Sequence, residues 1–207
     1  MNSKGLKVLL IEDHPLVNYG LAACLEETSY FSFCESTVSL PEARRFIEEA
    51  KILPSLVILD IMLGEENGLD FLPFLKNYCS DKKIKQPPVL VCSCLDDPFR
   101  LRAALELGAA GYVPKTSGKA ELLSAIASVL RGETYISKEH TNILKETSGT
   151  YSKFTKRELE VLDLIKQEKN NRQIAERLGI NIRTVENHIS NIYFKTGVNT
   201  KQDLKKL

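Results

Sequence analysis

Short apolar runs alternate with amphipathic stretches over the first 131 residues. The runs are Lys7–Ile11, Tyr30–Phe33, Leu56–Leu59, Val89–Cys92 and Gly111–Val113, each of strand length. Between them, helical periodicity occupies about 16–27, 40–50, 69–77, 98–107 and 119–131, the last marked by Leu122, Leu123, Ile126, Val129 and Leu130. Ser39, Pro41 and Glu42 form a capping-box pattern with proline in the first turn, which predicts a helix start at that point. Five strands alternating with five helices predict a five-stranded, doubly wound parallel α/β sheet. Parallel strands need crossover helices, and near-continuous apolar strands need both faces covered.

Gly132 ends the fifth helical pattern, and residues 133–152 are weakly patterned apart from a short candidate helix at 137–146. The division predicted is therefore a first domain over 1–132, a linker over 133–152 and a second domain over 153–207. No strand pattern follows the linker. Thr155 and Glu158 make another capping box, with Leu159, Leu162 and Ile165 on one helix face. A helix at 171–178 then ends at Gly179, and Asn181 caps the next, which runs to about 195. Two helices joined by a tight glycine turn predict a helix-turn-helix in a small all-α domain.

Charge sharpens this division. The chain has 207 residues, with 28 Lys and Arg against 27 Asp and Glu. Residues 1–133 hold 14 basic and 18 acidic residues, a net of −4, whereas 134–207 hold 14 and 9, a net of +5. An acidic module joined to one suited to a polyanion is the expectation. No apolar run reaches the ~20 residues of a membrane helix, and the polar start lacks a secretion signal, so a cytoplasmic protein with no membrane partner is expected. The five cysteines, Cys24, Cys34, Cys79, Cys92 and Cys94, form no CxxC and read as reduced core residues.

In open α/β sheets ligands bind beyond the carboxyl ends of the strands. Glu12 and Asp13 end the first run, Asp60 the third and Ser93 the fourth, while Lys115 follows the fifth. Any one of these could simply cap a helix; five together point to a site. Clustered carboxylates repel one another unless a hard cation sits among them, and Mg²⁺ suits carboxylates with a main-chain carbonyl and waters. A carboxylate beside it can attack a phosphoryl group, giving an aspartyl phosphate. Lysine then balances oxygen charge, and serine donates a hydrogen bond. Asp60, at the end of the central strand, is the expected nucleophile. His14, beside Pro15, reads as a surface or capping residue rather than a relay, and Cys92 and Cys94 as packing residues on one strand face.

At these residues the chain resembles a bacterial response-regulator receiver domain. Val8–Pro15 with Glu12-Asp13, Leu59–Met62 with Gly68 eight residues after the aspartate, Val91–Ser93 and Gly108–Lys115 match its motifs in order over about 5–131. The resemblance implies a flavodoxin-like fold and phosphate transfer to Asp60 from a sensor histidine kinase. It also implies Mg²⁺ held by Asp13, Asp60 and the Met62 carbonyl, with Glu12 helping through water. Ser93 and Tyr112 would form a switch pair, although Tyr112 is also readable as a core aromatic, and Lys115 would meet the phosphate. Leu63-Gly64 departs from the usual turn with proline, and Pro114 precedes rather than follows the lysine. Neither departure is expected to touch a reacting group.

In the helix from 182 to 195, Val185, Ile189 and Ile192 share one face with Ile182 close by. Arg183, Asn187, Ser190 and Asn191 project oppositely, flanked by Thr184 and Glu186. That polar face suits a major groove, since Arg reads guanine, Asn reads adenine and hydroxyls hold phosphates. Phe154–Leu162, Asn171–Leu178, Thr184–Ile189 and Lys195–Val198 resemble the LuxR-type helix-turn-helix over about 152–204. With the receiver motifs in front, the chain resembles a NarL/FixJ-type transcription regulator. Glu186 stands where relatives often carry lysine, so Lys169, Arg172, Arg183, Lys195 and Lys201 are expected to supply the backbone attraction, and His188 to pack or touch phosphate. A homodimer on double-stranded DNA is expected because one module makes a small interface; RNA polymerase is a further candidate partner. The reading is a regulator that accepts phosphate rather than an enzyme. Two alternatives stand beside it: a phosphorylation-independent regulator of the same fold, and an aspartyl-phosphate phosphohydrolase.

Overall fold

The computed structural model describes residues 5–206 apart from 29–30, 65, 95–97, 139, 142–143, 145–153 and 199. The chain divides into two compact units, one within 1–142 and the other within 143–207. The sequence-predicted helix at 137–146 falls largely outside the described residues.

In the first unit, β1 (Leu6–Ile11), β2 (Phe31–Thr37), β3 (Leu56–Leu59), β6 (Val89–Ser93), β7 (Gly111–Pro114) and β8 (Tyr135–Ile136) form one parallel sheet. Its order is β2-β1-β3-β6-β7-β8, so the order reverses between β1 and β3. Helices α1 (Pro15–Glu26), α2 (Leu40–Glu49), α3 (Phe71–Lys82), α4 (Pro98–Glu106) and α5 (Lys119–Leu130) make the crossovers. Every residue of β3 and β6 is buried, as a sheet covered on both faces requires. Val8, Leu10, Ile58, Leu90 and Val113 pack with Leu122, Ala125, Ile126 and Val129 of α5 in one core cluster.

The sheet has six strands where five were expected. The sixth, β8, lies inside the stretch read as linker, and its two residues are too few to show a period. A second departure follows β3. Met62–Leu63 (β4) and Glu66–Asn67 (β5) form a small antiparallel hairpin, with Gly64 in the left-handed region at φ +57°. A 3₁₀ turn at Gly68–Asp70 then leads into α3, which runs on to Lys82 rather than ending near 77. Buried Cys79 carries the apolar stripe through this polar last turn, and Lys83 at φ 54° stops it. Cys79 and Cys92 are buried, but Cys94 is exposed because β6 ends at Ser93. It is therefore not a core residue, and it does not continue the face of Cys92.

The second unit holds α6 (Lys156–Lys166), α7 (Asn171–Leu178), α8 (Ile182–Thr196) and α9 (Lys201–Leu204). Thr155 and Glu158 make the expected capping box: the Thr155 amide donates to Glu158 Oε2 at 2.7 Å and the Glu158 amide to Thr155 Oγ1 at 3.3 Å. Asn170 and Gln173 form a second box at the start of α7. Its end is Gly179 at φ +62°, a cap that an L side chain strains to adopt. The Arg157 guanidinium donates to the Leu178 carbonyl at 2.5 Å, tying α6 to the end of α7. Val161, Leu162, Leu164 and Ile165 are buried, as are Ile174, Val185, Ile189, Ile192 and Leu204 of the helices packed against α6. Leu159 is only half-buried and Ile182 is exposed, so α6 and α8 bury somewhat different stripes from those predicted. Among the described residues no helix is long and apolar enough to cross a membrane.

Candidate functional site

Because all strands of the sheet are parallel, β1, β3, β6 and β7 deliver their carboxyl ends to one edge, at the reversal of strand order. Glu12, Asp13, Asp60 and Lys115 meet there. Glu12 and Asp60 are each 2 % exposed. Lys115 Nζ sits between them, 2.5 Å from Glu12 Oε2 and 2.7 Å from Asp60 Oδ2. The other Glu12 oxygen, Oε1, accepts from the His14 amide at 3.0 Å and lies 3.0 Å from His14 Nδ1. Both Glu12 oxygens are thus occupied. His14 is exposed, stands at the N-cap of α1 and makes no side-chain cap bond.

Asp13 Oδ2 accepts from the Gly64 amide at 2.8 Å. The Leu63-Gly64 turn therefore bears on the site through Asp13 rather than through the expected nucleophile Asp60: glycine supplies an N–H that proline lacks. Gly68 has a different constraint. Its amide donates to the Ile61 carbonyl at 2.7 Å, and a Cβ there would fall 1.9 Å from the Asp60 carbonyl oxygen. Glycine alone lets the hairpin return this closely against the Asp60 backbone.

Asp13 Oδ1 and Asp60 Oδ1 are buried and meet no donor in hydrogen-bond geometry among the described residues. His14 Nδ1 is 2.9 Å from Asp13 Oδ1 without the alignment of a hydrogen bond. One donor atom from each of Glu12, Asp13, His14 and Asp60 lies within 4.8 Å of the others. Three carboxylates against one ammonium leave negative charge uncompensated, and two orphaned oxygens ask for a partner. A hard divalent cation fits both needs. Burial holds the Asp60 carboxyl above its usual range, an effect that the Lys115 bond opposes but does not cancel and that Glu12 reinforces. Burial alone would lower Lys115, yet its bonds to Asp60 and Glu12 outweigh this and raise it, so it stays charged.

Ser93 and Tyr112 are fully buried on neighbouring strands, and the Lys115 amide donates to the Ser93 carbonyl at 2.9 Å. The Tyr112 ring meets His140 edge-on, with centroids 4.8 Å apart. His140 is itself buried, its Nδ1 2.7 Å from Ser137 Oγ. Sequence reading assigned His140 nothing, because no periodicity marks its segment. Burial pushes the Cys92 thiol up to about 12, so it remains protonated beside the site. Met62, two residues after Asp60, has an exposed side chain, and Arg100 Nη1 lies 2.8 Å from its sulfur.

On the second unit, Arg183, Glu186, Asn187, Ser190 and Asn191 are exposed along α8 opposite Val185, Ile189 and Ile192. Thr184 is half-buried, its amide and hydroxyl both donating to Asn181 Oδ1 at 2.7 and 2.8 Å. His188 and Lys169 are half-buried, while Arg172 is exposed beside Glu176. Lys195 is engaged internally: its Nζ is 2.5 Å from buried Glu158 Oε2 and 6.0 Å from the Phe154 ring centroid. Lys201 Nζ donates to Asn171 Oδ1 at 2.5 Å. Phe194, not singled out from sequence, is exposed on the polar side; its spacing from Arg183, Asn187 and Ser190 was the available signal.

Known proteins agree with this arrangement. Residues 8–127 match the family model described as response regulator receiver domain, and 152–207 that of bacterial regulatory proteins of the luxR family. The chain is 32 % identical over 203 residues to the transcriptional regulatory protein LiaR of Bacillus subtilis, covering 95 % of this chain and 93 % of the relative. It is 33 % identical over 201 residues to the transcriptional regulatory protein MctR of Rhizobium johnstonii, covering 96 % and 91 %. Among solved structures, RcsB of Salmonella enterica serovar Typhimurium bound to promoter rprA with BeF₃⁻ aligns with a TM-score of 0.76 at 20 % identity, over 98 % of each chain, a likeness of fold. Strand-end acids, helix-turn-helix and family matches over both units agree: the chain belongs to the response regulators that join a receiver domain to a LuxR-type helix-turn-helix domain.

Proposed function

We propose that the chain is a transcription regulator of a two-component system whose phosphoacceptor is Asp60. The observation that carries this is the state of Asp60: buried at the reversal of strand order, one oxygen on Lys115 and the other with the Met62 backbone near the carboxylate but no donor in hydrogen-bond geometry among the described residues. A sensor histidine kinase would donate the phosphoryl group. An Asp60 carboxylate oxygen attacks phosphorus, a P–O bond forms, the P–N bond to the kinase histidine breaks, and the leaving nitrogen keeps the electron pair. Asp13, Asp60 and the Met62 carbonyl would hold Mg²⁺, and Glu12, with both oxygens engaged, would act through water. When bound, Mg²⁺ supplies charge neutralisation on the transferring oxygens. Lys115 balances the remaining charge, and the Ser93 hydroxyl bonds one phosphoryl oxygen. Ser93 and Tyr112 then form the switch pair, biasing the surface around β6 and β7.

The receiver would span 1–132 together with strand β8, which completes its sheet, the rest of 133–152 would be the linker, and 153–207 would be the DNA-binding module. Arg183, Glu186, Asn187, Ser190 and Asn191 would face base edges, with Arg172, Lys169, Thr184, His188, Lys195 and Lys201 supporting backbone contact. Lys195 and Lys201 reach DNA only if they leave their present partners. Two copies would bind two half-sites about one helical turn apart. The protein would work in the cytoplasm with RNA polymerase as a further partner, and without turnover of free substrates. The test is DNA affinity before and after acetyl phosphate with Mg²⁺, using a duplex selected from a random library. Wild type should bind more tightly once phosphorylated, and Asp60→Ala should not respond. An equal response in both would overturn the mechanism, and tight binding without any response would indicate phosphorylation-independent regulation.

A further inference from the structure

Phe194 is 90 % exposed, although Val185, Ile189 and Ile192 of the same helix are buried. At 100° per residue it lies within about 20° of Arg183 and Asn187 and about 40° of Ser190, at the centre of the polar stripe rather than on its flank. It stands about 6 Å along the axis beyond Ser190. An aromatic ring held in water at the middle of a polar face forgoes favourable burial until something covers it.

The stripe itself indicates what covers it. Arg183, Asn187 and Ser190 are residue types that hydrogen-bond base edges, and residues 134–207 carry 14 basic against 9 acidic residues, which favours a polyanion. On the floor of a major groove the one apolar group is the C5 methyl of thymine. We propose that Phe194 packs against a thymine methyl, making it a specificity-determining residue that selects thymine beyond the bases met by Asn187 and Ser190, one turn of α8 past Ser190. This rests on the reading of α8 as the helix that enters DNA.

The experiment uses the full chain. A random duplex library identifies the preferred site, and each thymine in that site is then replaced singly by uracil, which lacks only the methyl. Wild type should lose about fourfold in affinity at one thymine of each half-site, the value of one buried methyl group. Phe194→Ala, which loses the contact in both half-sites, should bind the thymine duplex about fifteenfold more weakly and be indifferent to uracil at either position. Because the ring is exposed, the variant should melt like wild type. If Phe194→Ala keeps the full preference for thymine, the assignment is wrong. It is equally wrong if the variant changes the sedimentation of the free protein with base preference intact, since Phe194 would then be a contact between copies. Enrichment without a uracil-sensitive position overturns the Phe194 assignment alone, whereas no enrichment by wild type overturns the reading of α8 and the assignment with it.

Discussion

Lys115 holds two buried carboxylates together, so its removal leaves Glu12 and Asp60 facing each other uncompensated. Lys115→Ala should destabilise the first unit by about 3–5 kcal/mol in EDTA, as loss of one partner from a buried ion pair does. Added Mg²⁺ should restore more of the melting temperature in the variant than it adds to wild type, because the cation replaces the missing charge. An unchanged melting curve in EDTA would mean that the carboxylates are not charged together. These acids were legible in the sequence for a physical reason: parallel strands place all their carboxyl ends on one edge, so residues far apart in the chain can be assigned to one site. The Gly64 amide on Asp13 was not legible, since it depends on a hairpin of two-residue strands that carry no period. Nor was Lys195's bond to Glu158, because nothing in a helix pattern says which neighbouring helix a long side chain will reach.

At the level of elements, the β4–β5 hairpin depends on Gly68. Gly68→Ala puts a methyl group into the Asp60 carbonyl, and backbone cannot yield as a flexible side chain would. Denaturant unfolding should show a loss of about 2–4 kcal/mol, together with weaker Mg²⁺ binding as the segment beyond Asp60 shifts. In the second unit, α6 is tied to α8 through Glu158 and Lys195. Burial alone would raise the Glu158 carboxyl, but Lys195 and the Thr155 amide and hydroxyl outweigh it and hold it below its usual value. A depressed carboxylate stabilises the fold above its unfolded value of 4.5 and loses that contribution as pH falls through the folded one. Protection factors of the Val161 and Leu162 amides in the intact chain, taken relative to the intrinsic exchange rate at each pH, should therefore fall on acidification below about 4.5, and Glu158→Gln should flatten that dependence while weakening protection at neutral pH. The capping box that starts α6 was readable because Thr155 and Glu158 are three residues apart. The length of α3 was not, because its last turn is polar except for Cys79, and β8 gained its place from the exposed edge of β7 rather than from its own two residues.

Taken together, the near-neutral chain is a sum of two opposite charges, each suited to its unit's chemistry. The −4 of residues 1–133 includes the carboxylates gathered at the strand ends, and the +5 of 134–207 suits an approach to phosphates. Binding to DNA should consequently weaken steeply with salt. Glu186 opposes that attraction from an exposed position on α8. Glu186→Lys should tighten non-specific binding and steepen the slope of log affinity against log salt by about 0.9 per added phosphate contact, or about 1.8 for a bound dimer, while changing base preference in a selection from random duplexes. An unaltered slope and preference would place Glu186 outside the interface. The proposed mechanism begins with phosphorylation of Asp60, and covalent trapping tests that step most directly. The full chain is incubated with acetyl phosphate and Mg²⁺, reduced with borohydride to convert an acyl phosphate to the alcohol, and mapped by peptide mass. Modification at Asp60 that disappears in EDTA and in Asp60→Asn is the predicted result; modification at Asp13, or labelling undiminished in both controls, would contradict it.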